Sequence, residues 1–392
     1  MGILSNTVSV YQYTVRGGAR SLDIGWVKER LTRNSFVPID TTADEESTGW
    51  VTLDDHSVSD FDNENAFWRE PYLAFTLRRD QRKVPAPALR AAFERECARW
   101  LEERPGYTRV PAKRKIEIRE TLHASLLSKT LAVPTTWDVV WNTETGILTA
   151  GAVSVKVLDL VEDRFHRTFD GLLLEPVHPM ARARSLLSED MLALLEREDK
   201  ASSDDVLLQI KKNRWVGWEF LLWLTERTAR GAQTYEVGRD GPLDAGERFS
   251  AYVHDRFVLA SEHEEGRRTT SITGPQREFS EVRQALLGGK NITDALVYLE
   301  KEERVWRLVL RSDIFSFSSF ACPVARLERD DTVDPVQERI ALFYERMSLL
   351  ETGIQLFDSV YKTFIGERLS KAWPETRRRI DAWLSSTGLA GR

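Results

Sequence analysis

The region from Tyr72 to Val177 constrains the fold of this chain more than any other part of it. In roughly a hundred residues its hydrophobic pattern predicts, in order, a strand, a basic turn bounded by prolines, two charged amphipathic helices, a hairpin that carries tryptophans, a third helix and a last strand. Strands and helices are mixed here without a strict βαβ repeat. The sequence therefore predicts an α+β fold, with mixed antiparallel sheets and helices packed on them.

The two charged helices have apolar faces that are expected to pack. The first helix places Leu89, Phe93, Cys97 and Trp100 on one face, and the second keeps Ile118, Leu122 and Leu126 together. Cys97 is therefore expected to be a small buried apolar side chain.

The length of the chain and breaks in its pattern predict three domains. Pro176 and Pro179 mark the end of the first region. We predict an N-terminal α+β domain at 1–182 with the basic segments, a second α+β domain at 183–333 and a helical C-terminal region at 334–392. Other predicted elements are strands at Phe249–Ala260, Thr269–Thr273, Ile292–Leu299 and Val305–Leu310, and a loop of low order over 40–65 with one short strand at Gly49–Val51.

Cysteine usage and hydropathy indicate the compartment. Cys97 and Cys322 are the only cysteines, and the first residues have neither the charged nor the apolar part of a signal peptide. No apolar run reaches the roughly 20 residues of a membrane span. The sequence predicts a soluble cytoplasmic protein without disulfides.

Positive charge is concentrated in two groups, although the net charge of the chain is −6. One group lies at the end of the first strand of the region and the other at the start of the second helix; their members are Arg78, Arg79, Arg82 and Lys83, and Lys113, Arg114, Lys115 and Arg119. A local positive potential attracts phosphates even on an acidic protein, and helix N-termini add backbone N–H donors. The groups predict contact with double-stranded DNA without base-specific recognition. Chance clustering among the 55 Lys and Arg is the alternative.

Further candidate DNA contacts lie outside these groups. Lys129 ends the second helix, where its charge also complements the helix dipole. Lys211 with Lys212, and Arg267 with Arg268, are paired cations that either contact phosphates or belong to a solvated surface.

The sequence has no pattern typical of catalysis. Its six histidines lack the spacing of a zinc site, and no glycine-rich loop matches a phosphate cradle. Asp54, Asp55 and His56 come closest to a hard-metal cluster, but their acidic loop favours solvated charge. We therefore predict no catalytic residue, metal or cofactor. A nuclease that uses the carboxylates of Asp138 and Glu175 is the enzymatic alternative.

Several segments in a shared order give the chain a family resemblance. They are VSVYQYTV, LRRDQRKVPAPALRAAFERE, KRKIEIRETLHASLLSKT, WDVVWNTETGILTAGAVSVKVLDLV and, from Gly288, GGKNITDALVYLEKEERVWRLVLRSD. In this order they resemble the recombination-associated protein family RdgC, over positions 1–180 and 265–315.

The resemblance implies a homodimer of two curved subunits that meet at both ends and enclose a positively lined channel around double-stranded DNA. It also implies little sequence preference, a nucleoid-associated location and antagonism of a strand-exchange recombinase of the RecA type. On the family pattern the basic turn falls on Arg79, Arg82 and Lys83, the basic residue after the paired leucines on Lys129, a hydrophobic dimer contact on Leu131, and the lysine of a Gly-Lys segment on Lys290.

The chain departs from the family pattern in three places: an acidic stretch at Asp54–Glu64, extra residues between about 200 and 265, and a longer helical C-terminus. We predict a non-catalytic, sequence-tolerant duplex DNA-binding protein that acts in the control of recombination or replication. The alternatives are a metal-dependent DNA exonuclease and a protein-interaction scaffold that uses the C-terminal helices.

Overall fold

The computed structural model describes residues 2–17, 23–42, 44–201, 205–263, 266–276, 278–325 and 334–386. The chain forms two compact units. The larger unit consists of Met1–Gly18, Val140–Glu162 and Gly171–Arg392, and the smaller unit of Ala19–Val139 and Asp163–Asp170. These two units are defined by the contacts between residues, and contacts do not show which parts of the chain fold independently. The division into three domains therefore stays a prediction.

The strands are β1 (Thr7–Arg16), β2 (Glu46–Thr52), β3 (Trp68–Arg69), β4 (Tyr72–Gln81), β5 (Val133–Asn142), β6 (Ile147–Ala150), β7 (Leu173–Pro176), β8 (Thr234–Glu236), β9 (Arg248–His263), β10 (Gly266–Thr273), β11 (Asn291–Lys301), β12 (Arg304–Arg311) and β13 (Ser316–Ala321). The named strand pairs are antiparallel. The predicted α+β class, with antiparallel sheet and a long helical C-terminal region, is confirmed.

The helices are α1 (Ile24–Arg33), α2 (Ala86–Glu102), α3 (Ala112–Leu127), α4 (Val155–Thr168), α5 (Pro179–Leu186), α6 (Glu189–Glu198), α7 (Val206–Lys212), α8 (Arg214–Ala229), α9 (Ser280–Leu287), α10 (Pro335–Leu369) and α11 (Trp373–Ser385), with a short 3-10 turn at Glu64–Ala66. Among the described residues no helix is long and apolar enough to cross a membrane.

In the smaller unit β4 lies between β2 and β5, and its buried face carries an aromatic core. The Trp50 ring meets the Phe75 ring edge-on at 4.8 Å, and Phe75 contacts Phe169 at 5.9 Å. The Trp50 indole N–H donates to Thr168 Oγ1 at 2.7 Å, so the polar edge of this buried ring is satisfied.

The short strand predicted at Gly49–Val51 is present, but the loop of low order expected around it is wrong for the remaining residues of β2. Strand β2 spans seven residues, and the chain at 34–36 covers its outer edge: Phe36 N–H donates to Trp50 O at 2.9 Å, and Trp50 N–H to Asn34 O at 3.1 Å. A Cβ at Gly49 would lie 2.4 Å from Phe36 Cα, so this close approach requires glycine. Polar composition concealed the strand because its stability comes from pairing with β4.

Helices α2 and α3 pack on each other around a small core of their own. Trp100, Val110 and Ile118 are its buried members, and Phe93, Cys97, Leu101 and Leu122 pack against them. Phe93, Cys97 and Trp100 share a packed face as predicted, but Leu89 and Leu126 are not members of this core. Cys97 is half-buried rather than buried. Prolines begin both helices, with Pro85 and Pro111 as the N-cap residues.

In the larger unit the sheet has the strand order β10-β9-β11-β12-β13-β1-β6, with β7 paired to β1 and β8 paired to β9. The predicted strands within β9, β10, β11 and β12 are present, and each is longer than its hydrophobic run. Helices α8 and α10 contribute an aromatic cluster in which the Phe220 ring contacts the rings of Phe315, Phe357, Tyr361 and Phe364. The apolar stripe of α10 is therefore largely core, which leaves less of it for a protein partner.

A buried arginine joins three elements of the larger unit. The Arg182 guanidinium on α5 donates to Asp358 Oδ1 on α10 and to Gln12 Oε1 on β1, both at 2.5 Å. Its carbon lies 5.4 Å from the centre of the Phe317 ring. Removal of Asp358 would leave the buried Arg182 charge uncompensated, so this ion pair holds α5 against α10.

We expect His178, which is 3% exposed, to make stability depend on pH. Burial, with a smaller effect of Arg184, lowers the pKa of His178 from 6.5 to about 4. The unfolded chain therefore binds this proton more tightly, and stability is lost as pH falls from the unfolded towards the folded pKa, by as much as ~3 kcal/mol. Urea unfolding at several pH values should show the free energies of wild type and His178→Gln converging as pH falls through this window. Parallel curves would contradict the assignment.

Candidate nucleic-acid interface

The helical hairpin of α2 and α3 carries a positive charge that is opposite in sign to that of the whole chain. Residues 86–131 contain ten Lys and Arg and six Asp and Glu, so the segment has a net charge of +4 in a chain of net charge −6. The apolar side chains of both helices face their shared core. The charged side chains are therefore left on the outside of the hairpin.

Part of this charge is balanced by local ion pairs. Arg90 pairs with Glu94 at 3.1 Å, and Arg114 pairs with Glu117 at 2.9 Å. The pairs are exposed, and such pairs typically contribute well below ~1 kcal/mol. An incoming phosphate can replace the carboxylate at little cost.

Other hairpin cations are exposed and have no ion pair within the described chain. They include the predicted contacts Lys113, Lys115, Arg119 and Lys129. Arg95 and Arg109 are also exposed and without an ion pair in the described chain. They were not predicted from the sequence, because each stands alone between uncharged or acidic neighbours. Only the packing of α2 on α3 identifies them as outward-facing.

The start of α3 is suited to an anion. Its N-cap residue, Pro111, makes no side-chain cap, and the first turn has no acidic residue. Lys113, Arg114 and Lys115 occupy this turn, where the helix dipole disfavours cations. A phosphate would accept from free backbone N–H groups and relieve the repulsion among these side chains.

The basic group at the end of β4 differs from the hairpin because most of its members bind within the protein. The Arg78 guanidinium donates to both carboxylate oxygens of Asp80 at 2.7 Å and lies 4.4 Å from the centre of the Phe36 ring. The hydrogen bond to Asp80 raises the pKa of Arg78. Arg79 pairs with Glu46 on β2 at 2.6 Å.

Arg82 and Lys83 are adjacent in sequence but have opposite environments. Arg82 is 8% exposed, and its guanidinium donates to the carbonyl oxygens of Thr42, Ile39 and Asp40 at 2.7, 2.8 and 3.2 Å. Lys83 is exposed and has no ion pair within the described chain. The structure thus places Arg82 inside the loop and leaves Lys83 as the accessible cation of this group.

The candidate cations of the larger unit lie on α7 and β10, whose chain neighbours α8 and β9 are joined by an ion pair. Lys211 and Lys212 are exposed at the end of α7, and Arg267 and Arg268 are exposed on the edge strand β10. Arg214, which follows α7, pairs at 2.5 Å with Glu262, the strand partner of Arg267. Lys290 donates to Thr270 on β10.

Leu131 follows α3 and is 85% exposed, the most exposed of the large apolar side chains described. Val133, at the start of β5, is 61% exposed. The two exposed apolar residues are two positions apart in the chain.

The candidate nuclease residues have partners within their own units. Asp138 is buried on β5, accepts from Thr76 Oγ1 at 2.8 Å and lies 3.7 Å from His56 Nε2. Glu175 pairs with Arg16 at 2.8 Å, and Asp54 with Arg69 at 2.5 Å. Within the described residues no group of three or more His, Cys, Asp or Glu could hold a metal ion.

These features define an α+β protein with a basic helical hairpin that projects exposed cations from one of its units. Residues 6–199 match the family described as "Putative exonuclease, RdgC", and over this range the chain belongs to the RdgC family of recombination-associated proteins. The matched range contains both basic groups and the whole hairpin. A comparison with curated proteins gives no match. The resemblance at 265–315 lies outside the matched residues and stays a prediction.

The contrast between Arg82 and Lys83 predicts different effects of truncation. Arg82→Ala removes a charged donor from three carbonyl groups, so the free energy of unfolding should fall by at least ~2 kcal/mol. Lys83→Ala should change it by less than ~0.5 kcal/mol. Urea unfolding of the two variants measures both values, and equal stability would contradict the buried position of Arg82.

Proposed function

We propose that this chain is a sequence-tolerant, double-stranded DNA-binding protein that acts in the control of recombination or replication and does not hydrolyse DNA. The observation that carries the proposal is the set of exposed hairpin cations without a carboxylate partner in the described chain, within the matched family range. Counterion release on binding phosphates would supply the affinity.

The geometry of the hairpin suits a phosphate backbone. Sixteen residues make α3 about 24 Å long, and a duplex carries one phosphate charge per about 1.7 Å of its axis. The exposed cations lie at the start of α3, in its middle and just beyond its end, at Lys113, Arg119 and Lys129. Several phosphates could therefore be contacted at once. The described contacts give no reason to expect base-specific recognition, which requires side chains fitted to base edges.

We further propose a homodimer that encircles duplex DNA and opposes loading of a RecA-type recombinase, at the nucleoid in the cytoplasm. The exposed side chain of Leu131 supports a subunit contact, because an apolar group with 85% exposure gains most from burial by a partner. The family resemblance supplies the encircling arrangement. A protein that covers duplex DNA would exclude other proteins from it.

A metal-dependent exonuclease is the second candidate. The description of the matched family favours it, and Asp138 is a buried carboxylate beside His56. A nuclease would degrade linear duplex in the presence of Mg²⁺ or Mn²⁺, and Asp138→Asn would abolish this degradation. Binding that leaves linear duplex intact under the same conditions would remove this candidate.

Reversing three unpaired hairpin charges tests the binding proposal. The variant Lys113→Glu, Lys115→Glu, Arg119→Glu should bind long duplex at least ~10-fold more weakly than wild type, because three phosphate contacts become repulsions. The matched control Lys371→Glu, Arg377→Glu, Arg378→Glu changes the net charge equally at exposed positions near and on α11 and should bind within ~3-fold of wild type.

Gel-shift titration at low salt measures these affinities. Equal loss in both variants would mean that only net charge matters. Absence of duplex binding by wild type would end the proposal.

A further inference from the structure

Two stacked tyrosines lie on neighbouring strands of the larger unit, outside the residues matched to the family. Tyr252 on β9 and Tyr298 on β11 are directly paired across the strands. Their rings are parallel to within 6° and have centroids 5.1 Å apart. Both side chains are half-buried rather than part of the core. Aromatic pairs of this kind on an open sheet face are a common platform for unstacked nucleobases.

One side of the stack is left open by the strand pairing. β8 pairs with Arg248–Ser250 and β10 with Arg256–His263, so Tyr252 lies in the gap between these two neighbours of β9. Tyr298 covers one face of the Tyr252 ring. In the described chain Tyr252 has no second aromatic or cation–π contact, and its half-buried side chain keeps part of its surface accessible to a planar ligand.

Each phenol holds a carboxylate in a fixed position. Tyr252 OH donates to Glu300 Oε1 at 2.5 Å, and Tyr298 OH donates to Asp255 Oδ2 at 2.7 Å. Burial, with the bond to Asp255, raises the pKa of Tyr298, whereas the Tyr298 bond lowers the pKa of Asp255. The phenols thus remain donors and Asp255 remains a carboxylate. Within the described chain Glu300 has no ion pair, whereas Asp255 pairs with His254 and is also close to the charge of Arg307.

The backbone at Asp255 is strained in a way that positions its carboxylate. Asp255 has φ of +63°, in the left-handed region, where the register of β9 against β11 shifts. A bulge at this point re-aims the side chain, whose other oxygen lies 2.6 Å from His254 Nδ1. Asp adopts the left-handed region more readily than most non-glycine residues, so the bulge can hold this carboxylate in place.

We propose that this platform, Tyr252 and Tyr298 with Asp255 and Glu300, binds an unpaired nucleobase of single-stranded DNA. The base would stack on Tyr252, and a carboxylate would accept from its exocyclic amino group. Arg307, the exposed strand partner of Tyr298, already interacts with the Tyr298 phenol and with Asp255, and it would also contact the neighbouring phosphate. The platform lies in the larger unit and outside the residues matched to the family, so it is distinct from the hairpin. The inference rests on the proposed function only in taking a nucleic acid as the ligand.

Fluorescence anisotropy with full-length protein and labelled oligonucleotides of about 20 nucleotides tests the platform. The probes are oligo(dC), oligo(dT) and a mixed-sequence duplex at neutral pH. Tyr252→Ala should weaken binding of oligo(dC) at least ~5-fold and change duplex affinity less than ~2-fold, because loss of a base–aromatic stack acts on the single strand alone. Tyr252→Phe keeps the ring and should retain most of the oligo(dC) affinity.

The carboxylates provide a second arm. Cytosine has an amino donor that thymine lacks, so wild type should prefer oligo(dC) to oligo(dT), and Asp255→Asn with Glu300→Gln should remove the preference. Failure of wild type to bind oligo(dC), equal effects of Tyr252→Ala and Tyr252→Phe, or equal loss for single strand and duplex would each overturn the platform. If the hairpin variant loses duplex binding but still binds oligo(dC), the platform proposal is unaffected. The two proposals can therefore be contradicted independently.

Discussion

The packing of α2 against α3 is the interaction on which the proposed DNA contact depends. Seven apolar side chains hold the two helices together. Because these side chains face the shared core, the cations of both helices face outward. The core is small, so the hairpin gains little stability from burial and much of its surface is charged. Positive charge is thus displayed by a minor part of the chain, while the remaining residues keep the whole protein acidic.

The fold class and the hairpin could be predicted from the sequence because both depend on local periodicity. The face of Phe93, Cys97 and Trp100 repeats at helical spacing, and its packing is as predicted. The strands within β11 and β12 follow from their apolar runs and the polar turn between them. Strand β2 was underestimated and β13 was not predicted, because serine, threonine and glycine in these strands are stabilised by pairing that no local pattern reveals.

The site could be predicted only in part, since a cation's availability depends on contacts from distant residues. Arg79 looked equivalent to Lys83, yet Glu46 on the neighbouring strand pairs with it. Arg82 is enclosed by carbonyl groups of a loop some forty positions earlier in the sequence. The Tyr252–Tyr298 stack could not be predicted from the sequence either, because only the register of β9 against β11 brings these two rings together.

The dependence of duplex affinity on salt tests the central claim most directly, because it counts phosphate contacts. For wild type and for Lys113→Ala, Lys115→Ala, Arg119→Ala, the logarithm of the binding constant is measured against the logarithm of the salt concentration. If these three cations contact phosphates, the slope of the variant should be shallower by about 2.7, at ~0.9 per contact. Equal slopes in wild type and variant would contradict the assignment of DNA binding to the hairpin.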